Sequence, residues 1–205
     1  MEVTCSVVFV QPRGLDLLYD VAEPQGGYFT TRLAATTGVS TRLLTHYAAA
    51  GDIKRVAHGV YRLERFPAHR FGDMIAATLW AGPGSAISHD SALTVYELAG
   101  AMPAVIHITV PHRFRGRRPG TVIHQQALTP REVTVWDDVP VTVIERTIVD
   151  VATGIDPSLA AEAVQQAQQQ GLTTRERLIA YADAHPDHAA LRRMLELDKA
   201  RLRAV

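Results

Sequence analysis

Between Tyr28 and Leu63 the sequence sets two short helical patterns, a turn with a single glycine and a β-hairpin in immediate succession, an order few folds accept. Residues 32–37 and 41–50 are patterned as helices, and only Gly38-Val39-Ser40 separates them. Two helices joined so tightly must cross steeply. The crossing needs a small side chain on the first helix, and the turn needs a residue that takes a positive φ cheaply. Ala34 and Gly38 meet these needs. Val39 follows Gly38, and Leu33, Leu44 and Tyr47 fall where apolar anchors must point inward, with Leu43 adding to them from the helix edge. After Gly51 the period changes from helix to strand: residues 53–56 and 60–63 form two short strands joined by Ala57-His58-Gly59. The sum is a winged helix-turn-helix.

With the anchors buried, Ser40, Thr41, Arg42, Thr45 and His46 remain on the outward face of the second helix. Short hydroxyls, a guanidinium and an imidazole are the groups that reach base edges and phosphates in a major groove. The hairpin adds Lys54, Arg55, His58 and Arg62, placed to grip the DNA backbone or enter the minor groove. We assign base reading to Thr41, Arg42 and Thr45, and phosphate neutralisation to Lys54, Arg55 and Arg62. Five basic residues between Tyr28 and Arg62 oppose Asp52 alone, a local charge of +4. That local excess matters because the whole chain is neutral, with 21 Lys+Arg against 21 Asp+Glu, so no chain-wide field draws it to nucleic acid or membrane. A winged helix used only for protein contacts is the alternative reading of these residues.

Upstream, residues 14–23 read as a helix that Pro24 ends, followed by the Gln25-Gly26-Gly27 turn. Downstream, the stretch 64–70 around Pro67 separates the hairpin from a second region. There, residues 71–81 and 88–99 are helical, with Gly82-Pro83-Gly84 between them and Ser88 as the second helix's N-cap. Strands follow at 105–110, 121–124, 132–136 and 139–143, with Asp137-Asp138 as a turn. Helical patterning then runs from about 145 to 153 and from 157 to 202, broken at Gly171-Leu172-Thr173 and at His185-Pro186. The expected fold is α+β: a winged helix-turn-helix domain over residues 1–66, then a mixed α/β domain over residues 67–205 with a helical tail.

Composition narrows the function classes. With 47% hydrophobic residues in 205, the chain can bury a real core. Cys5 is the single cysteine, so no disulfide within the chain and no cysteine-based zinc site can form. The apolar run Val7-Val8-Phe9-Val10 has only Glu2 as a nearby upstream charge and lacks the basic segment of a secretory signal. No stretch reaches the roughly 18 apolar residues of a membrane helix. A cytoplasmic location is expected.

Other motifs carry chemistry less specifically. Arg113, Arg115, Arg117 and Arg118, with Phe114 among them, form either a second phosphate-binding patch or a solvated, mobile hairpin loop between two strands. A metal-dependent nuclease would need an acidic strand before a D/E-x-K pair. Asp52-Ile53-Lys54 fits the pair but no such strand precedes it. His89-Asp90 reads as a capped helix start rather than a catalytic dyad, and His185-Pro186-Asp187-His188 as a helix-starting turn rather than half a metal site. No cofactor and no metal site is expected, and no catalytic residue is assigned.

Whole segments resemble a known family. Gly27-Tyr28-Phe29-Thr30, Leu33-Ala34-Ala35, Gly38-Val39-Ser40 and the hairpin from Ile53 to Tyr61 are similar to the N-terminal domain of AbiEi-type antitoxins of type IV toxin–antitoxin systems, Gly59-Val60-Tyr61 being the most specific fragment. Further along, the runs Ile87 to Leu93, Ile106 to Pro111 and Pro140 to Asp150 also resemble such proteins. The resemblance implies an antitoxin that represses its own operon by binding inverted repeats in double-stranded operator DNA. It also implies that the second domain counteracts a nucleotidyltransferase-type toxin, with or without a stable complex. A stand-alone winged-helix regulator whose second domain senses a ligand or a protein is the other reading. An enzyme in residues 71–205 is a third, for which the sequence exposes no clustered acid, base or metal-binding groups.

Overall fold

The computed structural model describes residues 14–154 and 157–185. The chain divides into two compact units, Met1–His69 and Arg70–Val205. The helical pattern beyond residue 185, the Val7–Val10 run, Cys5 and the Pro186-Asp187-His188 part of the histidine motif lie outside the described residues. The fold is α+β, with helices and two sheets.

The first unit is a winged helix-turn-helix. Helix α1 (Gly14–Ala22) passes into a 3₁₀ turn at Glu23–Gln25, where Pro24 removes an amide donor and Gly26 closes the turn at φ 58. Strand β1 (Tyr28–Thr30) leads directly into α2 (Thr31–Thr36), whose first turn is capped by Thr30 Oγ1 accepting from the Leu33 amide at 3.1 Å. Gly38 adopts φ +81, and α3 (Thr41–Ala50) begins at once, capped by Ser40 Oγ accepting from the Leu43 amide at 3.3 Å. Left-handed Gly51 ends α3. Strands β2 (Ile53–Ala57) and β3 (Val60–Leu63) form the wing, and β1 pairs with β3 to give an antiparallel sheet of order β1-β3-β2. The core comprises Leu18, Ala22, Phe29, Ala34, Val39, Leu44, Ile53, Tyr61 and Leu63, with Leu33, Leu43 and Tyr47 half-buried against it. Ala34 and Leu44 are completely buried where α2 and α3 meet this core. Gly27 has a separate reason: a Cβ there would lie 2.4 Å from the Phe66 ring.

The second unit is built on a five-stranded mixed sheet. Helix α4 (Gly72–Ala81), β4 (Ala86–Ile87) and α5 (His89–Val95) precede β5 (Ile106–Val110), β6 (Thr121–Gln125), β7 (Val133–Trp136) and β8 (Val139–Thr142). Helices α6 (Ile144–Ala152), α7 (Pro157–Gln169) and α8 (Arg175–Ala184) follow. The strand order is β6-β5-β4-β8-β7, with β5–β6 and β4–β8 parallel and the other pairs antiparallel. Asp137 and Asp138 turn the β7–β8 hairpin with φ 48 and 58, the pair of positive values that a type I′ turn requires.

Three features differ from the sequence expectation. The helix expected over 88–99 stops at Val95. Glu97 and Ala99 take positive φ there, while Thr94 Oγ1 donates to the Ala101 carbonyl at 2.8 Å and draws the chain into a turn. Strand β4 is only two residues long, too short to show a period. Residues 111–120 are not a hairpin loop, because β5 and β6 run parallel and the chain must return the full strand length between them. No described helix is long and apolar enough to cross a membrane.

Candidate functional site

Helix α3 is amphipathic by position. Leu44 faces the core and Leu43 and Tyr47 flank it, so Thr41, Arg42, Thr45 and His46 are all exposed on the opposite side. The Thr45 hydroxyl donates back to the Thr41 carbonyl at 3.0 Å, which leaves its methyl and its oxygen lone pairs outward. The Ser40 oxygen is engaged as the N-cap acceptor, though the residue itself is exposed at the start of the helix. Arg42, in the first turn of α3, is the only arginine or lysine on the helix.

The wing carries Lys54 and Arg55 exposed on β2 and His58 exposed in the turn. Arg55 is partly organised: its Nη2 lies 3.2 Å from His58 Nδ1 and its Nε donates to the Ala57 carbonyl at 3.4 Å. Arg62 is different. Cross-strand from Lys54, it donates through Nη2 to the Phe66 carbonyl at 2.7 Å and pairs through Nη1 with Glu64 at 3.4 Å, its side chain only 17% exposed. The structure thus turns Arg62 toward the segment that leaves the wing.

In the second unit, Arg113, Arg115 and Arg117 are exposed, while Arg118 is half-buried and its Nη1 has no hydrogen-bond partner. The segment is anchored rather than loose. Phe114 packs edge-on against Trp80 with ring centroids 4.9 Å apart, and its amide donates to Gln125 Oε1 at 3.2 Å. Gly116 is required at this anchor, because a Cβ there would lie 2.6 Å from the Phe114 ring.

The same unit buries charge that the sequence did not reveal. Arg146 of α6 donates to Asp150 (Nε, 2.8 Å), to Glu132 (Nη1, 2.9 Å) and to Gln126 Oε1 (Nη2, 2.6 Å). Glu132 also accepts from Tyr181 of α8 at 2.7 Å and from the Thr129 amide and hydroxyl, both at 2.9 Å. Burial pushes the Glu132 carboxyl up, but these donors outweigh it and hold it down at about 2. Asp150 shows the opposite balance. Burial raises it to about 6 despite Arg146, and its Oδ2 has no partner. One guanidinium cannot neutralise two buried carboxylates, and the less satisfied of the two retains a proton more readily.

A histidine cluster also lies in this unit, without a signature in the sequence. His89 at the start of α5, His107 on β5 and His124 on β6 each offer a ring nitrogen, and all three nitrogens lie within 4.8 Å of one another. His107 Nδ1 is 3.0 Å from His124 Nε2, and the His89 ring stacks on His124 with centroids 3.7 Å apart. His89 holds φ 53, and its Nδ1 lies 2.9 Å from Ser88 Oγ, which itself accepts from the Thr109 hydroxyl at 2.8 Å. Ser91 Oγ accepts from the His107 amide at 2.9 Å. Burial, then the two neighbouring imidazoles, lowers His89 to about 3; burial also lowers His107 and His124, against the opposing pull of Asp90. The three are therefore neutral near pH 7. No spacing rule links positions 89, 107 and 124; the signal would have been three histidines adjoining a helix start and two strands that turn out to be neighbours.

Comparison with known proteins bears on the first unit above all. Residues 16–64 match the family described as "Transcriptional regulator, AbiEi antitoxin", so the family resemblance read from the sequence holds over that stretch. No curated protein matches the chain. Among solved structures, the chain is similar to the crystal structure of the RV2827C protein from Mycobacterium tuberculosis. The TM-score is 0.52 at 13% identity, covering 87% of this chain and 74% of that chain. At that identity the likeness is one of fold.

Proposed function

From an AbiEi-type regulator domain over residues 16–64 as the premise, we propose that the protein is an antitoxin that binds operator DNA and represses its own operon. In this reading the second domain, beyond residue 66, counteracts a nucleotidyltransferase-type toxin. The observation that carries the DNA-binding part is the exposed face of α3, where Thr41, Arg42, Thr45 and His46 stand together opposite a buried Leu44. Set in a major groove, Arg42 is the group able to make a two-pronged contact with a guanine edge. Thr41 and Thr45 offer hydroxyls and methyls to neighbouring bases. Ser40 caps the helix and adds a phosphate-side contact, and Lys54, Arg55 and His58 hold the backbone from the wing. Helix-turn-helix proteins commonly pair on palindromic half-sites, so two molecules per operator are expected.

The test is a gel shift of the full-length protein on the DNA upstream of its own gene, with non-specific competitor and a salt series. Arg42→Ala is expected to cost about 1–3 kcal/mol and to relax sequence preference, whereas Lys54→Ala should weaken all DNA similarly and lower the salt slope by about 1. If Arg42→Ala keeps both affinity and selectivity, α3 is not the reading helix. Toxin antagonism is tested separately, by co-expression with a nucleotidyltransferase-type gene adjoining its own.

A further inference from the structure

We propose that His89, His107 and His124 form a binding site for a borderline divalent transition metal of the zinc class, within the second unit. Three independent elements supply the donors: the first residue of α5 and two adjacent parallel strands. Paired register puts Thr109 opposite His124 and His107 opposite Val122, so His107 and His124 project from the same face of the sheet, one diagonal step apart. His89 joins them from the start of α5 with a left-handed backbone, at φ 53, a conformation unusual for a residue with a side chain.

The distances suit an ion of this class. With all three nitrogens within 4.8 Å of one another, a common point exists no farther than about 2.8 Å from each, against roughly 2.0–2.1 Å for a zinc–imidazole bond. Small side-chain rotations close that gap. The 3.0 Å between His107 Nδ1 and His124 Nε2 is already near the separation of two nitrogens on one tetrahedral ion. All three imidazoles are half-buried, so an ion can enter. The surrounding groups fit a metal site as well: Ser88 Oγ against His89 Nδ1 fixes that ring, and the Asp90 carboxylate supplies nearby negative charge, felt at His107 and His124. Nitrogen-only donors favour zinc, cobalt, nickel or copper over magnesium or calcium, which take oxygen. Three protein ligands leave at least one coordination position for water or an incoming donor.

The experiment uses the full-length chain stripped with a chelator. Cobalt(II) is added with visible absorption as the readout, and zinc(II) with calorimetry. One equivalent per chain is expected. The cobalt spectrum should show the intense visible bands of a four- or five-coordinate ion and no thiolate charge-transfer band, which sets Cys5 aside. His107→Gln and His124→Gln should each weaken binding by more than the roughly 10–100-fold that loss of a supporting outer-shell group produces, while His112→Gln leaves it unchanged. Because a variant could fail to fold, the unaltered protein is also followed by hydrogen exchange. Zinc should slow exchange at the start of α5 and in β5 and β6. No saturable one-equivalent binding, binding that survives both substitutions together, or protection that appears elsewhere would each overturn the site.

Discussion

The two units handle polarity in opposite ways. In the first, the core is apolar throughout and every basic residue of the wing and of α3 lies at or near the surface, with Arg62 the least exposed. In the second, Glu132, Glu145, Arg146 and Asp150 are all buried, and three imidazoles converge on a half-buried face of the sheet. A winged helix holds its shape by apolar packing and caps, which leaves its charges available for a ligand. The second unit uses charges to fix α6 against α8 and the segment that leads into β7. It thereby ties its geometry to the state of ionisable groups.

The largest expected effect breaks that second arrangement. Arg146→Leu removes the partner of two buried carboxylates and is expected to cost about 3–5 kcal/mol, because an uncompensated buried charge is worse than none. Urea denaturation combined with hydrogen exchange should show the loss in α6 and α8 and not in α3. The counterpart in the first unit is Leu44→Ala, expected to cost about 2–5 kcal/mol through lost burial and the cavity left behind, with exchange rising in α2 and α3. If either substitution loosens the other unit equally, the contrast drawn between them fails.

Acidity separates the units next. Asp150, raised to about 6 from an ordinary 3.8, is destabilising when ionised, so its penalty is relieved as pH falls through about 6. Glu132, held at about 2 against an ordinary 4.5, stabilises above 4.5, and that stabilisation is lost as pH falls further. The second unit should therefore gain stability, about 1–1.5 kcal/mol, as pH falls from 7 to about 4, and lose it below. Asp150→Asn should flatten the gain. A first unit that shows the same rise would trace it to another group.

The smallest effect sharpens the picture of the wing. Arg62→Ala is expected to cost about 1 kcal/mol of stability through its bonds to Phe66 and Glu64, and to leave DNA affinity nearly unchanged. A gel shift in which it matches Lys54→Ala would return Arg62 to the phosphate contacts.

What the sequence could show follows from the same contrast. Helix α3 runs over Thr41–Ala50 as its pattern indicates, because Ser40 and Gly51 mark its ends with local chemistry. The hairpin β2–β3 is equally local. In the second unit most strands were legible from β-branched alternation, but their pairing was not. Whether β5 and β6 run parallel depends on where residues 111–120 travel, and on that path Phe114 packs against Trp80, 34 positions away in sequence. Arg146 and Asp150 share one helix turn and could have been paired on sight. Glu132 and Tyr181, which complete the network, come from distant segments. The histidines fall in the same class: each is unremarkable alone, and it takes the parallel register of β5 and β6, with the start of α5 beside them, to bring them together.

The return segment between β5 and β6 has an evolutionary consequence. A flexible connection grows costlier only slowly with length, by roughly 0.6 kcal/mol for each doubling. The strand register is set by the ladder itself and by Phe114 on Trp80, not by the number of residues in between. Insertions or exchanges between Arg115 and Pro119 should therefore be absorbed without refolding the sheet. Related chains are free to enlarge, erase or recharge this basic stretch as their partners diverge, provided the aromatic pin and Gly116 stay in place.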